Sequence, residues 1–162
     1  MNTWSEAFGA QAAADLDAYE LLSRSALPQC HRLHYLQMWL EKLCKAYVHR
    51  ANPEQFKRTH NLIAKILPRL IDEHWRRIGF EHPPRTEEIR KLCREIDLLH
   101  PGADDSGRRP ENAEYPWAGL GGEYEAPARW KFTVASRLDS NSGRLLLKAS
   151  NRLTRNSAIL IQ

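Results

Sequence analysis

Five residues constrain this chain more than any others. Leu33, Leu36, Leu40, Leu43 and Tyr47 recur at intervals of 3, 4, 3 and 4 residues. At 3.6 residues per turn those intervals return to one side of a helix, whereas the two-residue period of a strand would scatter them over both faces. Met38 and Cys44 widen the stripe. A helix opening near Pro28, where a proline costs no hydrogen bond in the first turn, therefore carries a long apolar seam that other elements must cover.

The rest of the sequence offers those elements, and all of them have helical spacing. Ser5 to Leu22 reads as a first helix with Ser5 as N-cap. Asn52-Pro53-Glu54-Gln55 restarts the chain as a capping box with proline at the first helical position. Phe56, Ile63, Ile66, Leu67, Leu70 and Ile71 then supply a third helix that stops before Gly79. Pro68 lies inside it and is expected to kink or break it, since proline lacks a donor and crowds the preceding turn. A fourth helix spans about 86–100, with Thr86 as its cap and Ile89, Leu92, Cys93, Ile96 and Leu99 along one side. The last stretch, about 128–156, is helical with an interruption at Asp139–Gly143, and its inner face is Leu138, Leu145, Leu146, Ala149 and Leu153. No repeat, low-complexity tract or alternating strand pattern competes with this reading. The expected fold is all-α, an up-and-down bundle of about five helices, as one domain over residues 1–156 with a short tail at 157–162.

Between the fourth helix and the last lies a long loop, 101–127, holding five of the eight glycines and four of the nine prolines. Long loops of this kind are commonly functional or partly disordered. Within it, Asn112-Ala-Glu-Tyr-Pro-Trp117 is denser, and its two aromatic residues suggest docking on the bundle. Gly119-Leu-Gly-Gly122 follows no strand and lacks the Lys-Ser/Thr of a phosphate loop, so it is not read as one.

Charge is distributed unevenly. The net value of +4 hides −4 over residues 1–23, +6 over 24–100, −4 over 101–127 and +6 over 128–162. Arg144, Lys148, Arg152 and Arg155 recur down one face of the final helix, where they can attract nucleic-acid phosphates or neutralise an acidic segment of the same molecule or of a dimer mate. With 42% hydrophobic and 27% charged residues the composition is globular, not disordered. No apolar run reaches the roughly 18 residues of a membrane span, no secretory signal opens the chain, and three scattered cysteines do not make a disulfide framework. A cytoplasmic protein without a membrane partner is expected.

Cys30-His31-x-x-His34 places a thiol and an imidazole one turn apart, but no second ligand pair follows, so neither a metal nor a cofactor is expected. Of more interest is Gln37-x-x-x-Glu41-Lys42-x-x-Lys45-Ala46, where charged residues run beside the apolar seam and Glu41 and Lys45 form a favourable i, i+4 pair. Arg58-Thr-His60-Asn-Leu62 stands on the next helical element.

Taken in order, Leu36-Gln-x-x-x-Glu-Lys-x-x-Lys-Ala46 and Arg58-Thr-His-Asn-Leu62 resemble the central two helices of HEPN domains, and Arg109-Pro-Glu-Asn-Ala-Glu-Tyr-Pro116 is similar to that family's closing segment. The resemblance implies a helical bundle, homodimers or higher homo-oligomers, and a role around nucleotides or RNA. It also implies a defence or toxin–antitoxin setting, with a protein partner such as a nucleotidyltransferase. Carried onto this chain, it marks Lys42, Lys45, Arg58, His60, Arg109 and Tyr115 as a polar cluster that binds phosphate or fixes the bundle.

The family's ribonucleases use an Arg, four to six further residues and then a His, a fixed cation steadying phosphorane charge while an imidazole moves the proton. Here the best such pair is Arg94 and His100, which precedes the position that branch requires, and the last 62 residues contain no histidine. Six residues apart, the two side chains would point to different sides of an intact helix. The expected function is thus a non-catalytic or weakly catalytic HEPN-like module. A metal-independent endoribonuclease using Arg94 and His100 and a structural protein-interaction module stand as alternatives.

Overall fold

The first helix, α1 (Trp4–Leu22), is started by Thr3: its hydroxyl accepts from the Glu6 N–H while the Glu6 carboxylate accepts from the Thr3 N–H, a reciprocal capping box. Ser5, the cap expected from sequence, lies inside the first turn and donates instead to the carbonyl of Ala46, on the neighbouring helix. In this computed structural model the described residues are 3–51, 61–82, 86–103, 109–119 and 121–156. They form six α-helices and one two-stranded ribbon, an all-α helical bundle.

The apolar seam lies on α2 (Gln29–Ala51), with Leu33, Leu36, Leu40 and Leu43 no more than 1% exposed. Tyr47 is half-buried and sends its hydroxyl to the Glu73 carboxylate, 2.5 Å away. α1 runs antiparallel to α2: Ser5 meets Ala46, Asp15 meets Lys42, and Tyr19 packs on Trp39. α3 (Leu62–His74) packs on α2 and on α4 (Thr86–Asp97), and α6 (Asn141–Arg155) closes the bundle against α1 and α4. The core is made of the facing seams, with Leu16, Leu40, Leu67, Leu70, Ile96, Leu146 and Leu153 among its buried members.

Of the kink or break expected at Pro68, which is itself buried, the break does not occur: α3 continues through it. Ile63, Leu67, Leu70 and Ile71 are buried around it, and that burial, at about 1.5–3 kcal/mol per large side chain, outweighs one missing backbone hydrogen bond. After His74 the chain makes one more turn and ends on Gly79 at φ +77°, with Gly79 N–H bonding to Arg76 O and Phe80 N–H to Trp75 O. That pair of bonds is a Schellman ending, which favours glycine at this position. The start expected at Asn52-Pro53, the capping role of Thr86 and the residues Phe56, Arg58 and His60 lie outside the described residues and side chains.

α4 ends at Asp97, three residues earlier than the sequence spacing suggested, because the groups beyond it are used elsewhere. The Leu98 carbonyl accepts from the Arg109 guanidinium, the Leu99 carbonyl from the Ala113 N–H, and the Asp97 carboxylate reaches α3. The final stretch divides, as its interruption foretold, into α5 (Thr133–Leu138) and α6, making six α-helices among the described residues where about five were expected. Ser140 caps α6 by accepting from the Gly143 N–H, and a Cβ at Gly143 would overlap the carbonyl oxygens of Leu138 and Arg137. The close joint requires glycine there.

Inside 101–127 the ribbon pairs β1 (Trp117–Ala118) antiparallel with β2 (Tyr124–Glu125) around Gly119–Gly122, so these glycines serve a hairpin turn. No helix among the described residues is long and apolar enough to cross a membrane.

Candidate functional site

The charged string on α2 forms a ladder at the α1–α2 interface. Lys42 Nζ donates to the buried Asp15 carboxylate at 2.7 Å, and Gln11 supports the same carboxylate at 3.0 Å. Glu41 is buried as well, accepting from Gln37 at 2.6 Å and from Lys45 at 2.5 Å. The two lysine side chains are each 16% exposed. Lys45 also lies 5.7 Å from the ring centre of Phe8, which stacks on His49. The lysines singled out from sequence are therefore matched one-to-one with carboxylates: Lys42 ties α2 to α1 through Asp15, while the Lys45–Glu41 pair lies within α2 and Lys45 meets α1 only at the Phe8 ring. Of the remaining members of that cluster, Arg58 and His60 are outside the described residues.

Arg109 and Tyr115 belong to a different place. Arg109 Nε donates to the Leu98 carbonyl at 2.8 Å and so closes the C-terminal end of α4. Between them, Asn112 is 1% exposed and spends its whole amide on the backbone. Its Oδ1 accepts from the N–H groups of Glu114 and Tyr115, and its Nδ2 donates to the carbonyls of Arg109 and Tyr115. Glu111, one residue earlier, is held at φ +60°, a left-handed conformation that non-glycine residues seldom adopt. Of the two aromatic residues expected to dock, Trp117 does, edge-on to Trp130 at 5.4 Å, whereas Tyr115 is 61% exposed.

The turn built by Asn112 faces the start of α2 across a cleft of about 460 Å³. Cys30, His31, His34 and Tyr35 line one wall, and Ala113–Pro116 with Ala126–Ala128 line the other. His34 Nδ1 lies 3.4 Å from Glu114 Oε1, and the His34 ring meets Tyr35 edge-on at 5.4 Å. Burial pushes the Cys30 thiol up from its ordinary range. Cys30-His31-x-x-His34, read from sequence as ordinary capping or packing in preference to a metal motif, contributes a cleft wall. No group of three or more metal-ligating side chains forms among the described residues.

Among the buried carboxylates of the described residues, Asp97 stands out. It is 3% exposed, and burial raises its carboxyl from 3.8 to about 6, although the N–H groups of Ile63 and Ala64, at 3.2 and 2.8 Å, pull the other way. Asn61 makes no side-chain cap, so Asp97 caps α3 from another helix.

On α6 the four basic residues divide. Arg155 bonds to Asp17 at 2.5 Å and Glu20 at 3.5 Å of α1, and Arg152 donates to the carbonyls of Ile78 and Gly79 while lying over the Phe80 ring. Arg144 and Lys148 are exposed, and among the described residues neither pairs with a carboxylate. Arg94, finally, pairs with Glu87 at 3.4 Å, and His100 Nδ1 accepts from the Gly102 N–H. Each residue of the pair is thus engaged with a partner other than its companion.

Comparison of the chain with protein-family models, with curated proteins and with solved structures returns no match.

Proposed function

We propose that this chain is a non-catalytic or weakly catalytic HEPN-like binding module that dimerises and associates with RNA or nucleotides. On this reading it works in a defence or toxin–antitoxin system beside a protein partner such as a nucleotidyltransferase. The observation that carries the reading is the division of labour among its cations. Lys42 and Lys45 are matched to buried carboxylates, while Arg144 and Lys148 stand exposed one turn apart on α6. A pair of outward cations one turn apart suits successive phosphates of a flexible strand, and contributes affinity through released counterions without reading sequence.

The test is binding of a labelled single-stranded RNA across a salt series. Affinity should fall by roughly 0.7 log units per log unit of salt for every phosphate contacted. The double variant Arg144→Ala/Lys148→Ala should flatten that slope while leaving the melting temperature in place, since both side chains are exposed. RNA that does not bind even at low salt, or that binds with no salt dependence, defeats this reading.

A further inference from the structure

The cleft between α2 and the Asn112 turn is separate from the basic face of α6, and its chemistry is of the opposite kind. Among the described residues that line it, Glu114 alone carries a fixed charge, which is negative and already in contact with His34 Nδ1 at 3.4 Å, so a cation would share this carboxylate. The rest of the wall it belongs to is uncharged, being Ala113, Tyr115, Pro116 and Ala126–Ala128. A phosphate or carboxylate entering here would meet like charge. The remaining surface is aromatic and rigid: Tyr35 and Tyr115 are 36% and 61% exposed, and Pro116 and Pro127 stiffen the far side. Tyrosine faces attract cations through the ring quadrupole, most strongly where water is partly excluded, and a neighbouring carboxylate adds to the attraction.

We propose that this cleft binds a small organic cation, an alkylammonium or guanidinium compound, with its charged head between Tyr35 and Tyr115 and towards Glu114. The walls are already in place for such a ligand. His34 fixes the Tyr35 ring edge-on, and the four hydrogen bonds of Asn112, together with the Ala113 N–H to Leu99 carbonyl bond, hold Glu114 and Tyr115 at the rim. A volume of about 460 Å³ falls within the range of small-molecule sites, roughly 300–1,000 Å³. That size selects a free small molecule over a long polypeptide segment.

The experiment titrates the full chain with choline, with agmatine and with 3,3-dimethyl-1-butanol, the uncharged isostere of choline, following backbone amide resonances. Saturable binding of choline or agmatine is expected, shifting the signals of Tyr35, Glu114 and Tyr115, with the neutral isostere about tenfold weaker or worse. Tyr115→Ala removes an exposed ring but leaves its backbone bonds to Asn112, and Glu114→Gln keeps the shape while removing the charge. Each should weaken binding about fivefold at an unchanged melting temperature. Equal binding of the isostere, indifference to both variants, or no binding of either cation up to roughly 10 mM overturns the proposal. Markedly tighter binding of an arginine-containing peptide than of agmatine also overturns it, in favour of a protein ligand.

Discussion

At the scale of single residues the interior carboxylates do the work that local sequence leaves undone. Asp97 ends α4, yet its oxygens complete the open N-terminus of α3, more than thirty residues away in sequence. Nothing in the residues around Asn61 announces this, because the donor and acceptor meet only when the helices pack. Ser5 shows the complementary case: its side chain suits an N-cap, but Thr3 has the glutamate three residues on that closes the box. For Asp97 the consequence is a measurable pH dependence. Its native carboxyl titrates near 6 against 3.8 when unfolded, so between those values the native state holds the extra proton. The Asp97 contribution is therefore fully present below about 3.8 and lost as the pH rises through about 6. At roughly 1.4 kcal/mol per unit the loss is on the order of 3 kcal/mol. Asp97→Asn removes the titration. Comparing the denaturant stability of the variant with that of the native chain at pH 4 and pH 7, the native chain should lose ground on moving to pH 7. A difference that is constant over this range would show that Asp97 is not the buried titrating group.

At the scale of elements, periodicity made the bundle legible and local signals misplaced some of its boundaries. The α2 seam needed no tertiary knowledge, since four leucines at intervals of 3, 4 and 3 admit one solution, and all four are buried. The joint between α5 and α6 was legible too, from Asp139-Ser-Asn-Ser-Gly143. Pro68 and the end of α4 were not, because in each case contacts from other helices decide: burial keeps α3 continuous, and Arg109, Ala113 and the α3 terminus consume the last groups of α4. The ribbon at 117–125 is too short to leave an alternating pattern. Leu40 tests the central role of α2. It is fully buried amid the seams of the other helices, and Leu40→Ala should cost about 2–5 kcal/mol in a denaturant titration. A loss below about half a kcal/mol, the usual range for surface substitutions, would place α2 at the edge of the core.

At the scale of the whole molecule, the uneven charge along the chain is partly an internal affair. The acidic first helix meets the basic last one through Arg155 with Asp17 and Glu20, and Asn151 adds a bond to Glu20. This intramolecular neutralisation was one of the readings open from sequence, and it reduces the outward basic row to Arg144 and Lys148. The cleft was not legible, because its walls come from residues 30–35, 113–116 and 126–128, which share no local period. The arrangement also bears on whether the chain cleaves RNA. A general base must come within hydrogen-bond reach of the proton it removes, with the stabilising cation on the same phosphate. Here α4 stops at Asp97, so His100 sits beyond the helix with Nδ1 accepting from the Gly102 N–H, while Arg94 leans back along α4 to Glu87. A shared phosphate would compete with the Glu87 ion pair for Arg94 and with the Gly102 N–H for His100 Nδ1. The purified chain should accordingly leave a mixed RNA substrate intact on a gel, and His100→Ala should change neither RNA affinity nor any effect on growth. Robust cleavage that disappears in His100→Ala would reverse this conclusion and make the chain an endoribonuclease.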